Sequence, residues 1–241
     1  MFYQILKPYK PNKYRRFVIG DIHGCYHSFK KMIEKKIVPT KKDKIFLLGD
    51  YINKGPHSAK TVDYILNLIS EGYRIYPLRG NHEDTVLRTE EESPEILSWL
   101  LKDSPDLLEN KRLKPKYRDF FKSLPYYYEL DKFFIVHAGF NFKKEEPFKD
   151  KISMLWRRKF DNDYNFTGGK TIIHGHQPEN IEQILESINK KSDVIGLDNG
   201  VCYIKNHKIY DYRRMGNLLA LNIDTFELFI QKNNEEKNKS K

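Results

Sequence analysis

Six short apolar runs, each closing on small or polar residues, constrain this chain more than any other feature. RRFVIG runs into Asp21, KIFLLG into Asp50 and RIYPLRG into Asn81. FFIVHAG contains His137, KTIIHGH ends on His174 and His176, and SDVIGLDNG ends at Asp198–Gly200. Each run is compact, β-rich and of the length of a buried strand. Helical segments separate several of them: SFKKMIEKKIV follows the first and SAKTVDYILNLISEG the second. In the latter, apolar residues at 62, 65, 66 and 69 form a helix-period stripe, and Gly72 fits its stop. Strands alternating with helices predict an α/β layered sheet. In such sheets, sites form beyond the carboxyl ends of the strands, where these polar residues collect.

The remaining segments read differently. Residues 84–125 are rich in charge and Leu, with Pro at 94, 105 and 115. They predict broken helices forming an insertion or cap within a single domain of residues 1–230. Trp99 within them fits core or groove equally, and Tyr126–Tyr128 fits a buried strand entry. VCYIKNHKIYDYRR and NLLALNIDTFELFIQ alternate and are expected to be strands of a second sheet. Residues 231–241 read as a disordered basic tail.

A net charge of +10 invites a nucleic-acid reading, but its distribution argues against one. Residues 1–16 carry +5 and residues 231–241 carry +2, leaving +3 for everything between. A solvated basic arm at each end accounts for most of the excess. No apolar run approaches the roughly 20 residues that span a bilayer, and the first residues lack a signal-peptide pattern. Two cysteines, Cys25 and Cys202, make no disulfide framework and no CxxC pair. A cytoplasmic protein without a membrane partner is the expectation.

Taken singly, the polar residues have ordinary explanations. Asp21-Ile22-His23 could be a turn, Asp50 a helix cap, and Glu83 a first-turn acid complementing a helix dipole or a support standing behind the ligands. Lone histidines such as His137 are more often structural. Their conjunction is what matters. One chain carries Asp/His, Asp, Asn/His, His and His-x-His, each at the end of a strand-like run. Oxygen and imidazole donors without thiolate suit Mn²⁺, Fe or Zn²⁺. A shared carboxylate can bridge two such cations about 3.5–4 Å apart, the arrangement that clamps an in-line phosphoryl displacement.

The ordered motifs GDIHG, GDYINKG, GNHE, VHAG and HGHQ resemble those of the calcineurin-like metallophosphoesterases. The resemblance is nearest to the phosphoprotein phosphatase branch in its bacterial and phage form. It implies an α/β (α+β) fold: a two-sheet β-sandwich flanked by helices. It also implies two divalent ions, with Mn²⁺ expected and Fe or Zn²⁺ also fitting. Asp21, His23 and Asp50 would hold the first ion. Asp50 would bridge to the second, held also by Asn81, His137 and His176. His174 would stand behind the ligands, and Asp198 would shape a tight turn at Gly200. A metal-bridging hydroxide would attack phosphorus, and His82 would protonate the leaving group. Arg79 and Arg158 would grip the phosphate, with Arg157 the less favoured choice. A solvated surface role is the plain alternative for each arginine, and Arg79 could instead act as a support behind the ligands.

The chain departs from this family at one place. GDxxDRG is replaced by Gly49-Asp50-Tyr51-Ile52-Asn53-Lys54-Gly55. Asn53 stands where an Asp would orient and charge the catalytic imidazole, and Lys54 lacks the guanidinium fork. Weaker proton delivery is expected, least damaging for good leaving groups. The resemblance points first to a serine/threonine-type protein phosphatase acting on phosphoprotein or small phosphoester substrates. The alternatives are a symmetrical dinucleoside tetraphosphate hydrolase and a weakly active phospho-binding scaffold.

Overall fold

The computed structural model describes residues 14–203 and 214–235, together with the backbone of residues 3–5. Its strands are β1 (Tyr3–Ile5), β2 (Arg16–Ile19), β3 (Lys44–Leu47), β4 (Arg74–Pro77), β5 (Leu108–Glu109), β6 (Arg112–Leu113), β7 (Tyr127–Glu129), β8 (Phe133–Val136), β9 (Thr171–His174), β10 (Val194–Gly196), β11 (Asn217–Asn222) and β12 (Leu228–Lys232). Two five-stranded sheets result, ordered β12-β11-β2-β3-β4 and β1-β7-β8-β9-β10. All six apolar runs are strands, and they divide three and three between the sheets.

Within each sheet the three are parallel neighbours, β2-β3-β4 and β8-β9-β10. Parallel strands buried on both faces need apolar residues at successive positions. Val18 and Phe46 point into the space between the sheets, where they meet Ile135, Ile173, Ile195 and Leu219. Their neighbours Phe17, Ile19, Ile45 and Leu47 point outward, against Phe29, Val62 and Ile65. Those partners lie on helices α1 (Tyr26–Lys31) and α2 (Ser58–Ser70). Beyond the other sheet, Tyr127, Phe134 and Val136 pack on Phe140, Met154 and Leu155. The result is a helix–sheet–sheet–helix sandwich, as expected.

Three expectations need correction. Residues 217–232 do form strands, but β11 pairs antiparallel with β2 and so extends the first sheet. The second sheet is completed at its other edge, by β7 and β1. Tyr3–Ile5 is therefore a strand rather than part of a solvated arm. Most of VCYIKNHKIYDYRR lies outside the described residues, and Val201 and Cys202 form a turn. At the other end, Gln231 and Lys232 belong to β12 and Glu235 is buried, so the tail reading fails for 231–235. Residues 236–241 lie outside the described part.

The segment 84–125 contributes α3 (Asn81–Glu92), α4 (Pro94–Leu100), the short β5-β6 hairpin and α5 (Pro115–Ser123). Its prolines begin helical turns rather than break them, because the missing N–H is an orphan at that position anyway. Val86, Leu97, Tyr117 and Phe121 join the core beneath the first sheet, so the segment is as much a core layer as a cap. Trp99 is neither core nor groove: it is 69% exposed. On α2 the buried stripe is Val62, Ile65 and Leu68, while Ile69 faces out. Gly72 ends the helix with φ +86°, a conformation that glycine adopts without strain.

One buried cation ties the two sheets together. The Arg16 guanidinium donates to Asp224 in the β11–β12 turn (2.6 and 3.0 Å) and to Asp131 in the β7–β8 turn (2.7 Å). Arg16→Met should cost about 3 kcal/mol, because it strands two carboxylates in a largely buried place. Urea denaturation measures this, and a loss below roughly 1 kcal/mol, the surface ion-pair level, would assign Arg16 no such role.

Candidate metal centre

Parallel pairing brings the carboxyl ends of the strands to one edge of the sandwich. Asp21 follows β2, Asp50 follows β3, and Asn81 begins α3 after β4. His137 follows β8 and His176 lies just past β9. The chain must turn sharply at each exit. His23, Asp50, Asn53, Lys54 and His176 all have positive φ, between 47° and 67°. Non-glycine residues held this way cost about 1–3 kcal/mol each and persist where the surroundings enforce them. Two glycines permit the close approach. A Cβ on Gly80 would lie 2.2 Å from Asp50 Oδ1, and one on Gly175 would lie 2.0 Å from Asp21 Oδ1.

Asp50 is the hub. Its Oδ1 accepts the His82 backbone N–H (3.0 Å) and lies 3.6 Å from His137 Nε2. Its Oδ2 lies 3.5 Å from His23 Nε2 and 3.9 Å from His82 Nε2. Two of these rings are fixed from behind. His23 Nδ1 donates to the Ile52 carbonyl (3.1 Å) and His137 Nδ1 to the Leu48 carbonyl (2.8 Å). Both therefore present the Nε2 lone pair inward, the tautomer a metal ligand needs. Asn81 Oδ1 lies 3.0 Å from both His137 Nε2 and His176 Nδ1. Asp21 Oδ2 accepts the His176 N–H (3.0 Å), while its buried Oδ1 has no protein partner.

Acceptors crowded so closely call for positive charge. Donor atoms of His23, Asp50 and His82, and separately of Asp50, His137 and His176, lie within 4.8 Å of one another, so Asp50 belongs to both groups. Burial, then Asp198 and Asp50, drive the Asp21 carboxyl well above the usual range. Burial opposes ionisation of Asp50 as well, but His137, His82, His23 and Lys54 outweigh it and hold that carboxyl low. The Lys54 ammonium donates to His23 Nε2 at 2.8 Å. A cation of the chain itself thus rests against the first group of donors. The donor chemistry, the unpartnered Asp21 oxygen and this resident ammonium all fit a pair of divalent ions.

Around the centre, the expected residues separate. Lys54 and Arg158 line a cleft of about 380 Å³ above Asp50, Asn81 and His176, with Trp156, Gln177's neighbour Pro178 and Tyr203 among its walls. Arg158 also donates to Gln177 Oε1 (3.3 Å) and borders a second cleft of about 1060 Å³. Arg157 lines only the larger of these two. Arg79 does not reach either cleft, which corrects its assignment to phosphate. Its guanidinium donates to the Phe121 and Lys122 carbonyls (3.0 Å each) and to the Tyr126 hydroxyl (3.0 Å), tying α3's start to the end of α5. His174 also stays outside the donor groups. It packs on Phe160, and burial holds its pKa down to about 4. Asp198 accepts from the Gly200 N–H (2.7 Å) in the expected turn, and its carboxyl adds negative charge near Asp21.

Of the two roles open to Glu83, the structure favours support behind the donors. This fully buried carboxylate accepts three backbone N–H bonds, from Asp50 (3.0 Å), Tyr51 (2.8 Å) and Gly80 (3.0 Å). It pins the loop bearing Asp50 to the turn bearing Asn81. Burial, with Asp50 adding to it, pushes its pKa up to about 8 against those three bonds. The only trace in the sequence is its place three residues after Gly80, the capping position of α3.

Residues 14–210 match the calcineurin-like phosphoesterases. The chain belongs to that family. Among curated relatives, a symmetrical bis(5′-nucleosyl)-tetraphosphatase of Buchnera aphidicola is 39% identical over 67 residues, 28% of this chain and 23% of that protein. An asymmetrical bis(5′-nucleosyl)-tetraphosphatase of Anoxybacillus flavithermus is 28% identical over 142 residues, 51% of this chain and 56% of that protein. The matches thus span between a quarter and little more than half of these relatives. A crystal structure described as a candidate diadenosine tetraphosphatase superposes with TM-score 0.63 at 19% identity, covering 97% of this chain and 99% of that one. A serine/threonine phosphatase of Saccharomyces cerevisiae gives 0.61 at 14% identity, covering 93% and 81%. At such identities the structural likeness speaks for the fold. No helix among the described residues is long and apolar enough to cross a membrane.

Glu83→Ala should weaken Mn²⁺ binding by roughly 10–100-fold, since it removes the support of Asp50 and Asn81 without touching a donor atom. Calorimetric titration of the metal-free protein checks this, and unchanged affinity would mean that the loop holds its own shape.

Proposed function

We propose that this phosphoesterase hydrolyses dinucleoside polyphosphates, in preference to the phosphoprotein reading that the motifs first suggested. Asn53 carries the argument. Its side-chain amide meets His82 Nδ1 at 3.1 Å and, unlike a carboxylate, carries no charge that would favour the imidazolium. Burial holds the His82 pKa below the usual range, with Lys54 and His137 adding to this against Asp50. A neutral imidazole is a poor proton donor. A serine alkoxide departs badly without a proton, whereas the phosphate end of a nucleotide departs as a stable anion. The chain has the donors around Asp50 but no charge behind His82, which suits a phosphoanhydride.

The surroundings support the same reading. Asp21, His23 and Asp50 would hold one divalent ion, and Asp50, Asn81, His137 and His176 the other, with Mn²⁺ the expected metal. When bound, such a pair supplies an activated water and neutralises charge at phosphorus. Lys54 and Arg158 would then bind the phosphate oxygens in the smaller cleft. Arg158 also borders the larger cleft, whose walls include Arg157, Lys159, Phe142, Phe160 and Tyr164. Basic groups for further phosphates and ring faces for a nucleoside therefore continue away from the centre. The tetraphosphatase relatives agree with this direction.

The deciding experiment compares turnover of diadenosine tetraphosphate and a phosphoserine peptide by the Mn²⁺-loaded protein. The dinucleotide should be preferred by about a hundredfold in kcat/KM, the low end of what general-acid catalysis contributes. A peptide preference would return the protein to the phosphatase reading. Asn53→Asp should raise phosphopeptide turnover by on the order of tenfold, while dinucleotide turnover changes by less than about threefold. Arg158→Ala should raise KM for the dinucleotide by roughly tenfold, the loss of one charged hydrogen bond.

A further inference from the structure

On the outer side of the same loops, away from the donors around Asp50, stands a third group of metal-ligating side chains. His27 lies on α1, His57 immediately precedes α2, and Glu235 follows β12. Their donor atoms lie within 4.8 Å of one another. The rings of His27 and His57 meet edge to face, with centroids 5.1 Å apart. Among the described residues, the ring nitrogens of these two histidines make no hydrogen bond. His57 Nε2 faces Glu235 Oε2 at 3.9 Å, too long for a hydrogen bond.

The carboxylate is fixed for a second partner. Glu235 Oε1 accepts from the backbone N–H and the hydroxyl of Ser28, both at 2.9 Å. Among the described residues, only a long contact from the His27 N–H (3.4 Å) reaches Oε2, which faces the histidines. A helix cap alone needs Oε1 and leaves the imidazoles unexplained. Ligand carboxylates are characteristically oriented in this way, by hydrogen bonds to the oxygen that does not meet the metal.

We propose that His27, His57 and Glu235 form a separate site for a Zn²⁺-class cation. Two imidazoles and one carboxylate are a zinc donor set that leaves a fourth position for water. The three donors need to draw together by about 1 Å to reach tetrahedral spacing at bond lengths of about 2.0–2.2 Å. Its place gives it a role. His57 follows the loop of Asn53 and Lys54, and its N–H donates to the Gly24 carbonyl (3.0 Å), next to His23. An ion here would staple the chain after β12 to the two loops that carry His23 and Asn53, from behind.

The test is metal content per full-length chain after dialysis against buffered Zn²⁺ in excess Mn²⁺, measured by plasma mass spectrometry. The wild-type protein should hold one equivalent more than either His27→Ala or Glu235→Gln. That difference does not depend on how many ions the centre around Asp50 retains. Glu235→Gln preserves an acceptor for Ser28, and His27→Ala alters a half-buried ring, so the two variants fail to fold for different reasons if they fail at all. Zn²⁺ should also raise the melting temperature of Asp50→Asn, and adding His57→Ala should remove that rise. Equal metal content in wild type and both variants, or a melting shift that survives His57→Ala, would overturn the site.

Discussion

Everything at the centre of this molecule depends on holding Asp50 where its charge is least comfortable. The carboxylate is buried, has a left-handed backbone, and sits near Asp21, Asp198 and Glu83, all of them buried acids. Like charges this close cannot coexist in a low-dielectric place without compensation. Compensation comes from backbone amides and from the Lys54 ammonium. The sandwich supplies the rigidity that the arrangement requires. Its two sheets are locked by an apolar layer between them and by Arg16 across one end. Strain in five loop residues is tolerable because parallel strands and Glu83 leave those loops no alternative.

The proposed function turns on two neighbouring parts of the site. The groups that can hold metal form two sets sharing Asp50. The departure lies one contact further out, where Asn53 meets His82. Under the proposed function, a neutral amide behind that imidazole would favour leaving groups that need no proton, without altering how the site could hold cations. This is why the substrate reading shifts toward phosphoanhydrides while the phosphoesterase family assignment stands. The extended basic and aromatic cleft beyond Arg158 gives such a substrate somewhere to lie.

Strand positions were legible because a strand buried on both faces must be apolar at every residue, as in Phe46 and its neighbours. The donor residues were legible because parallel strands deliver their exits to one edge, so Asp21, Asp50, Asn81, His137 and His176 had to be neighbours. Arg79 was misread because an arginine beside a catalytic motif looks the same whether it faces substrate or the Phe121 and Lys122 carbonyls. Glu83 could not be told from an ordinary first-turn acid because its three partners are backbone amides, which leave no mark in the sequence. The sheet that β11 joins was misassigned for a similar reason: alternation marks a strand, but not its neighbour.

The sequence by itself determined the positions of the six central strands and the chemistry of the donor set, because periodicity and residue type are local properties, whereas the two-sheet sandwich was implied only by the motifs' resemblance to a known family. Only the tertiary structure decided what lies across a gap of many residues. It placed the Lys54 ammonium against His23, turned Asn53 toward His82, spent Arg79 on the frame, and brought Glu235 to His27 and His57. Each of these is set by the directions of side chains on separate loops, and those directions exist only once the two sheets have packed.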